Sequence, residues 1–203
     1  MLRNLVVAGL PSLLATTALA ATPSPMTPSP PPQEVHALRP IATEGRMAEL
    51  RVGDRAPSFS YMCLDGRWCR FEDLASSRCL LIVFGAGEAD LRELERLGPA
   101  FDQLGVTPVA VLERATRSLV GMRRRLGLQE TLLADPMHAI AGLYNSLDPA
   151  SGLSSASYFV LDEHRTIRAM RYGPLPSAEI LLLSSARCLG RPLPASVLTG
   201  CNE

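Results

Sequence analysis

The sequence predicts an α/β sandwich in which a central mixed sheet is flanked by helices. Two uninterrupted apolar runs, residues 79–84 (CLLIVF) and 106–112 (VTPVAVL), are typical of strands buried on both faces. Between them, apolar residues recur every three or four positions, as in an amphipathic helix. Two later β-prone segments flank the polar pair Glu163-His164. A parallel crossover unit followed by an antiparallel hairpin therefore accounts for the order of the elements.

The remaining elements follow from local signals. Two short β-prone runs flank Asp65-Gly66, which is a strong turn signal, so an N-terminal β-hairpin is expected before the first buried strand. The expected elements are strands at 56–62 and 68–71, a strand at 79–84, a helix at 88–104, a strand at 106–112, helices at 115–126 and 137–144, strands at 157–162 and 166–172, and a helix at 176–189.

The N-terminus predicts the compartment. A short cationic start precedes an apolar stretch over residues 5–15 and the small residues of Ala18-Leu19-Ala20, the pattern of a secretory signal peptide over 1–20. The apolar stretch is shorter than the roughly 20 residues that a spanning helix needs. We therefore expect a periplasmic or secreted protein with no membrane span after signal cleavage; an uncleaved N-terminal anchor is the alternative.

Composition divides the rest of the chain. Residues 21–49 are a Pro-rich linker, 50–189 have the size and apolar content of one domain, and 190–203 form a C-terminal tail. The chain carries 20 basic and 20 acidic residues, so its formal net charge is zero and no nucleic-acid partner is expected. The basic run Arg123-Arg124-Arg125 is interpreted as a solvated helix surface.

Three segments resemble one protein family. Residues 52–59 (VGDRAPSF), 132–144 (LLADPMHAIAGLY) and 158–168 (YFVLDEHRTIR) are similar to segments of the redoxin group, the peroxiredoxin/AhpC-TSA and TlpA-like branch of the thioredoxin-like superfamily. The resemblance implies a thioredoxin-like (redoxin) sandwich with an N-terminal β-hairpin. It also implies thiol chemistry, either peroxide reduction or disulfide exchange, at the end of the first buried strand.

The residues that this chemistry requires are replaced. Peroxiredoxins carry Pro, Thr and the peroxidatic Cys at positions that hold Ala86, Asp90 and Glu93 here, and TlpA-like reductases carry Cys-x-x-Cys where Gly87 and Asp90 stand. No cysteine occurs anywhere between residues 80 and 187.

The position before the closing hairpin departs from the family as well. It holds a cis-Pro in thioredoxins and an Arg in peroxiredoxins, and here it is Ala156. Because a thiolate is the nucleophile in both reactions, we expect thiol catalysis to be lost and assign no catalytic residue.

The five cysteines lie elsewhere. Cys63 and Cys69 flank the Asp65-Gly66 turn, so a structural disulfide across the hairpin is one expectation, with free thiols or a redox pair as alternatives. Cys188 and Cys201 are a second candidate pair. Cys79, at the far end of the first buried strand, is interpreted as an inert core thiol. Since five is odd, at least one cysteine has no intramolecular partner.

No other chemistry is indicated. His36, His138 and His164 show no metal-ligand spacing, so neither a metal nor a cofactor is expected. Glu88, Asp90 and Glu93 lie near a predicted helix start, where acidic side chains interact favourably with the helix dipole.

The sequence therefore favours a periplasmic redoxin-fold protein without thiol catalysis. It would bind or scaffold an unidentified periplasmic protein through the loops at residues 85–90 and 154–157. Two alternatives remain: a thiol-dependent antioxidant or disulfide oxidoreductase that uses an atypical cysteine, and an accessory factor in the maturation of a secreted enzyme or cofactor.

Overall fold

The computed structural model describes residues 49–75 and 78–194. The predicted signal peptide, the linker up to residue 48 and the tail from residue 195 lie outside the described residues. The predicted domain boundaries therefore stay predictions. Over the described ranges, no helix is both long enough and apolar enough to cross a membrane.

Seven strands and six helices make up the described part of the chain. They are β1 (Ser60–Met62), β2 (Trp68–Arg70), α1 (Phe71–Leu74), β3 (Cys79–Phe84), α2 (Glu88–Arg96), α3 (Gly98–Leu104), β4 (Val106–Leu112), α4 (Thr116–Leu126), β5 (Thr131–Ala134), α5 (Ala139–Leu143), β6 (Ser157–Leu161), β7 (Ile167–Tyr172) and α6 (Ala178–Leu189).

The central sheet has five strands in the order β5-β4-β3-β6-β7. Strands β3, β4 and β5 are parallel, whereas β6 and β7 run antiparallel to their neighbours. Phe84, the last residue of β3, lies opposite both Val111 of β4 and Ser157 of β6. The sheet is mixed as predicted, and its register brings the carboxyl ends of β3 and β4 to the start of β6. Strands β1 and β2 form the separate N-terminal hairpin.

The core has two halves, one on each face of the sheet. All six side chains of β3 are buried, and they alternate between the halves because successive residues of a strand point to opposite faces. Leu81 and Val83 belong to the half covered by α2, α3 and α6. Ile82 and Phe84 belong to the other half, where the Tyr144 ring lies 5.5 Å from Phe84 and 5.0 Å from Phe159 between centroids.

The predicted single helix over 88–104 is wrong. The structure has two helices, α2 and α3, which meet at Leu97. The break coincides with Gly98 and Pro99, and a proline lacks the N–H that a continuous helix would use and clashes with the preceding turn. Pro99 instead occupies the first turn of α3, where the missing N–H costs nothing.

Two elements were not predicted, and one predicted helix begins at a different residue. Strand β5 was not predicted because its four residues are too few for a clear periodicity. The one-turn helix α1 was missed for the same reason. The predicted helix over 137–144 begins too early: α5 starts at Ala139, because His138 has φ +56° and serves as its N-cap.

Candidate functional site

The candidate site lies where the carboxyl ends of β3 and β4 meet the segment before β6. The loop Gly85–Gly87 follows β3 directly, and Ala156 lies against it because Phe84 pairs with Ser157. Gly85 has φ +67°, and a Cβ there would lie 2.9 Å from the Ala156 Cα. The two loops therefore touch through their backbones, which requires a glycine at position 85.

The amino terminus of α2 is capped by the side-chain carboxylate of Asp90. Gly87 is the N-cap residue, and its backbone N–H donates to Asp90 Oδ2 at 2.8 Å. The resemblance to TlpA-like reductases implies the second cysteine of Cys-x-x-Cys at the position of Asp90. The positive end of a helix dipole would stabilise a thiolate or another anion there, and Asp90 provides that negative charge.

Two further acidic side chains of α2, Glu88 and Glu93, are in ion pairs. Arg125 of α4 donates two hydrogen bonds to the Glu88 carboxylate, at 2.6 and 3.1 Å, and these lower the pKa of Glu88. Glu93 Oε2 accepts a hydrogen bond from Arg96 Nε at 2.8 Å. Each predicted position on α2 thus has a structural partner, and Arg125 of the basic run is paired rather than only solvated.

A cleft of about 390 Å³ opens beside the loop and is lined by Ala86, Glu113, Arg114 and Ser154, among others. Glu113 follows β4 directly and accepts a hydrogen bond from the Ser154 backbone N–H. Its Oε1 also lies 3.6 Å from the Nδ1 of His138, a buried nitrogen that has no hydrogen-bond partner.

Sequence reasoning missed Glu113 and Arg114. The available signal was their position directly after β4, since parallel strands present their carboxyl ends at one edge of the sheet. For His138 the sequence predicts a position in a helix with an ordinary hydrogen-bonded surface or core role. Its contact with Glu113 joins two segments 25 residues apart, and no local pattern predicts such a contact.

The serine that begins β6, Ser157, has an ordinary hydrogen bond. Ser157 is fully buried and its Oγ donates to the Ser146 Oγ at 2.7 Å, while the Ser146 Oγ lies 3.3 Å from the Tyr144 carbonyl oxygen. This arrangement ties the start of β6 to the end of α5 and leaves no activated hydroxyl at Ser157.

The described cysteines lie away from the loop. Cys63 and Cys69 form a disulfide across the N-terminal hairpin, with Cα atoms 6.1 Å apart. Cys79 is the first residue of β3, at the opposite end of the strand from Gly85, and burial raises the pKa of its thiol. Cys188, in the last turn of α6, is half-buried, and burial also raises its pKa. Cys201 lies outside the described residues, so its pairing with Cys188 stays a prediction.

A metal centre is not assembled from the described side chains. No group of three or more His, Cys, Asp and Glu residues with a metal-binding arrangement occurs within 49–75 and 78–194. His164 lies in the β6–β7 turn, where its only ionic neighbour in this range is Glu163, at 4.0 Å.

Comparison with known families identifies the family of this chain. A model of the AhpC/TSA family matches residues 52–170. No curated protein sequence matches the chain.

Solved structures of peroxiredoxins share the fold. Peroxidoxin BcpB from Mycobacterium tuberculosis aligns with a TM-score of 0.60 and 15% identity over 70% of this chain and 97% of its own. AhpC from Enterococcus faecalis aligns with a TM-score of 0.60 and 18% identity over 68% of this chain and 92% of its own. The reduced 2-Cys peroxiredoxin of Plasmodium vivax aligns with a TM-score of 0.58 and 18% identity over 68% of this chain and 97% of its own. Identities this low establish the fold alone.

Proposed function

Since the chain belongs to the AhpC/TSA family, we propose that it keeps the family's fold but works without thiol catalysis, as a secreted or periplasmic protein that binds or scaffolds a protein partner. The predicted redoxin sandwich is confirmed by the mixed sheet and by its likeness to peroxiredoxins. The signal peptide, the compartment and the partner remain parts of the proposal and rest on the sequence.

One observation carries the proposal: the loop after β3 contains no sulfur, and Asp90 occupies the amino terminus of α2. Reduction of a peroxide starts with attack by a thiolate, which becomes a sulfenic acid, and disulfide exchange also starts with a thiolate. A cysteine brought from elsewhere would also face the Asp90 carboxylate at this terminus, and a nearby negative charge disfavours a thiolate.

Exposed apolar side chains beside the cleft support a protein partner. Met137 and Leu153 adjoin His138 and Ser154 in the chain, and they are 82% and 52% exposed. Large apolar side chains exposed next to a polar cleft are typical of an interaction surface. We assign the partner-binding surface to Met137, Leu153 and the loop Gly85–Gly87.

A second candidate rests on the hairpin disulfide. Cys63 and Cys69 are both half-buried, and a disulfide that solvent reaches can exchange with an external thiol. This is the atypical-cysteine alternative, in which the protein is an oxidoreductase. The third alternative, an accessory factor for maturation of a secreted enzyme or cofactor, is a special case of partner binding.

Two matched variants test the proposal in the native host. One carries Met137→Asp and Leu153→Asp at the surface, and the other carries Ser in place of all five cysteines; circular dichroism checks that both fold. Chemical crosslinking of the periplasmic fraction then measures complex formation. We expect the surface variant to lose the complex and the cysteine-free variant to keep it. Loss of the complex only in the cysteine-free variant would support the oxidoreductase instead.

A further inference from the structure

Glu130 is a buried acid without a partner. It lies in the connection between α4 and β5 and is 9% exposed, and both of its carboxylate oxygens are buried with no hydrogen-bond partner. Burial, together with the nearby charge of Glu95, raises the pKa of Glu130 to about 8. A buried carboxyl group without a partner is costly, so its presence calls for a role.

Two clefts meet at this residue. One has a volume of about 300 Å³ and the other about 280 Å³, and Gln129, Glu130 and Thr131 line both. The first cleft also contains Glu95 at the end of α2 and Asp102 of α3. A volume near 300 Å³ is at the lower end of the range for small-ligand sites.

The charges around the clefts leave a surplus of negative groups. In the first cleft, Arg78 is paired with Asp102 at 2.7 Å. Glu95 Oε2 accepts the backbone N–H groups of Gln129 and Glu130 at 2.6 and 3.2 Å. Neither Glu95 nor Glu130 forms an ion pair with a described residue.

The second cleft adds one acid and one base. It contains Asp65, whose carboxylate pairs with Arg67 at 2.7 Å, and Arg123, whose Nε donates to the Leu128 carbonyl at 3.0 Å. The Asp65 charge is thus compensated by Arg67, whereas Arg123 keeps its charge but forms no ion pair with Glu130. Of the acids around the two clefts, Glu130 is the one whose carboxylate oxygens have no partner among the described residues.

We propose that the first cleft binds an organic cation, a primary ammonium or a guanidinium group, which places its N–H donors on the Glu130 carboxylate. Such a group would supply the hydrogen bonds and the charge that Glu130 lacks. The cation belongs either to a free small amine or to a Lys or Arg side chain of another protein. The site is separate from the partner-binding surface, because Glu130 precedes β5 whereas that surface lies beyond the carboxyl ends of the parallel strands.

Calorimetric titration of the full-length mature protein tests this site with two probes. Agmatine represents a free amine with an ammonium and a guanidinium end, and a blocked Gly-Lys-Gly peptide represents a protein side chain. We expect saturable binding of at least one probe, weakened roughly tenfold or more by Glu130→Gln. The matched control, Glu163→Gln in the β6–β7 turn, should bind as the unmodified protein does. Binding of the peptide alone would assign the cation to a protein partner.

The pH dependence provides a second readout. A bound cation needs the ionised carboxylate, so affinity should rise as the pH increases through about 8 and binding below that pH should release protons. Glu130→Gln should remove both effects. The proposal is overturned if neither probe binds, if Glu130→Gln binds as tightly as the unmodified protein, or if binding is independent of pH.

Discussion

Asp90 Oδ2 accepts the backbone N–H of Gly87 at 2.8 Å, so the helix terminus that follows β3 carries an internal carboxylate. The positive end of the α2 dipole is thereby used to stabilise the fold. A helix amino terminus is also an environment that stabilises a thiolate. This chain therefore has a negative charge of its own at the terminus that follows β3, and its loop contains no cysteine.

The Asp90 cap predicts a local stability effect. Asp90→Ala should lower the free energy of unfolding by about 1 kcal/mol, because the Gly87 N–H loses its acceptor. Glu93→Ala in the same helix is the control and should change it by less than about 0.5 kcal/mol, since exposed ion pairs contribute little. Urea unfolding measures both. Equal losses of stability in the two variants would show that the hydrogen bond from Gly87 to Asp90 does not stabilise the helix.

Gly85 is predicted to be the least replaceable glycine of the site. Gly85→Ala strains a backbone with φ +67° and also drives a Cβ to within 2.9 Å of the Ala156 Cα. Gly127, the C-cap of α4, has φ +69° but nothing within 4 Å of the added Cβ, so Gly127→Ala isolates the backbone cost of roughly 1 kcal/mol. Thermal and urea unfolding should show a clearly larger loss for Gly85→Ala. Similar losses would mean that the Ala156 segment moves aside freely.

The hairpin disulfide should contribute measurably to stability. Cys63 and Cys69 are six positions apart, and closing so short a loop restricts the unfolded chain by an amount equivalent to about 2 kcal/mol. Replacing both by Ser should lower the free energy of unfolding by that order. The unmodified protein in excess reductant should show the same loss. The Cys79→Ser variant keeps the disulfide, so reductant should lower its stability by the same amount as in the unmodified protein. An unchanged midpoint in reductant would contradict the prediction.

Glu130 predicts how stability varies with pH. Its pKa is raised from 4.5 to about 8 by folding, so between these values the folded state binds more protons than the unfolded state. The free energy of unfolding should therefore fall as the pH rises from about 4.5 to about 8, by up to about 1.4 kcal/mol per pH unit, and level off above that range.

Glu130→Gln isolates this contribution, because glutamine does not titrate. Urea unfolding at several pH values should show that the variant lacks the decline and exceeds the unmodified protein in stability at pH 9. Parallel pH profiles for the two proteins would mean that Glu130 is solvated or paired in solution.

The sequence predicted the parts of the fold that local patterns determine. The buried strand β3, the Asp65-Gly66 hairpin and the closing hairpin all follow from apolar runs and turn residues. The division of α2 from α3 was also readable, since Pro99 lies inside the predicted helix, but the regular spacing of apolar residues across the break concealed it. Strand β5 has four residues, and it becomes recognisable as a strand only through its pairing with β4.

The composition of the sites was less predictable than the fold. Ala86, Gly87 and Asp90 were found because they are adjacent in sequence to the end of β3. Glu113 contacts Ser154 across 41 positions, and Glu95 contacts the Gln129–Glu130 backbone across about 35. Contacts between residues so far apart in the sequence depend on the order of the strands in the sheet. The periodicity of apolar residues does not predict that order.

The most direct test of the proposed function is the rate of hydrogen peroxide and disulfide reduction by the purified mature protein, supplied with dithiothreitol, beside its cysteine-free variant. The account predicts equal rates for the two proteins, no faster than the background with reductant alone. Turnover above background that disappears when Cys63 and Cys69, or any other cysteine, are replaced would contradict it and identify the chain as a working thiol oxidoreductase.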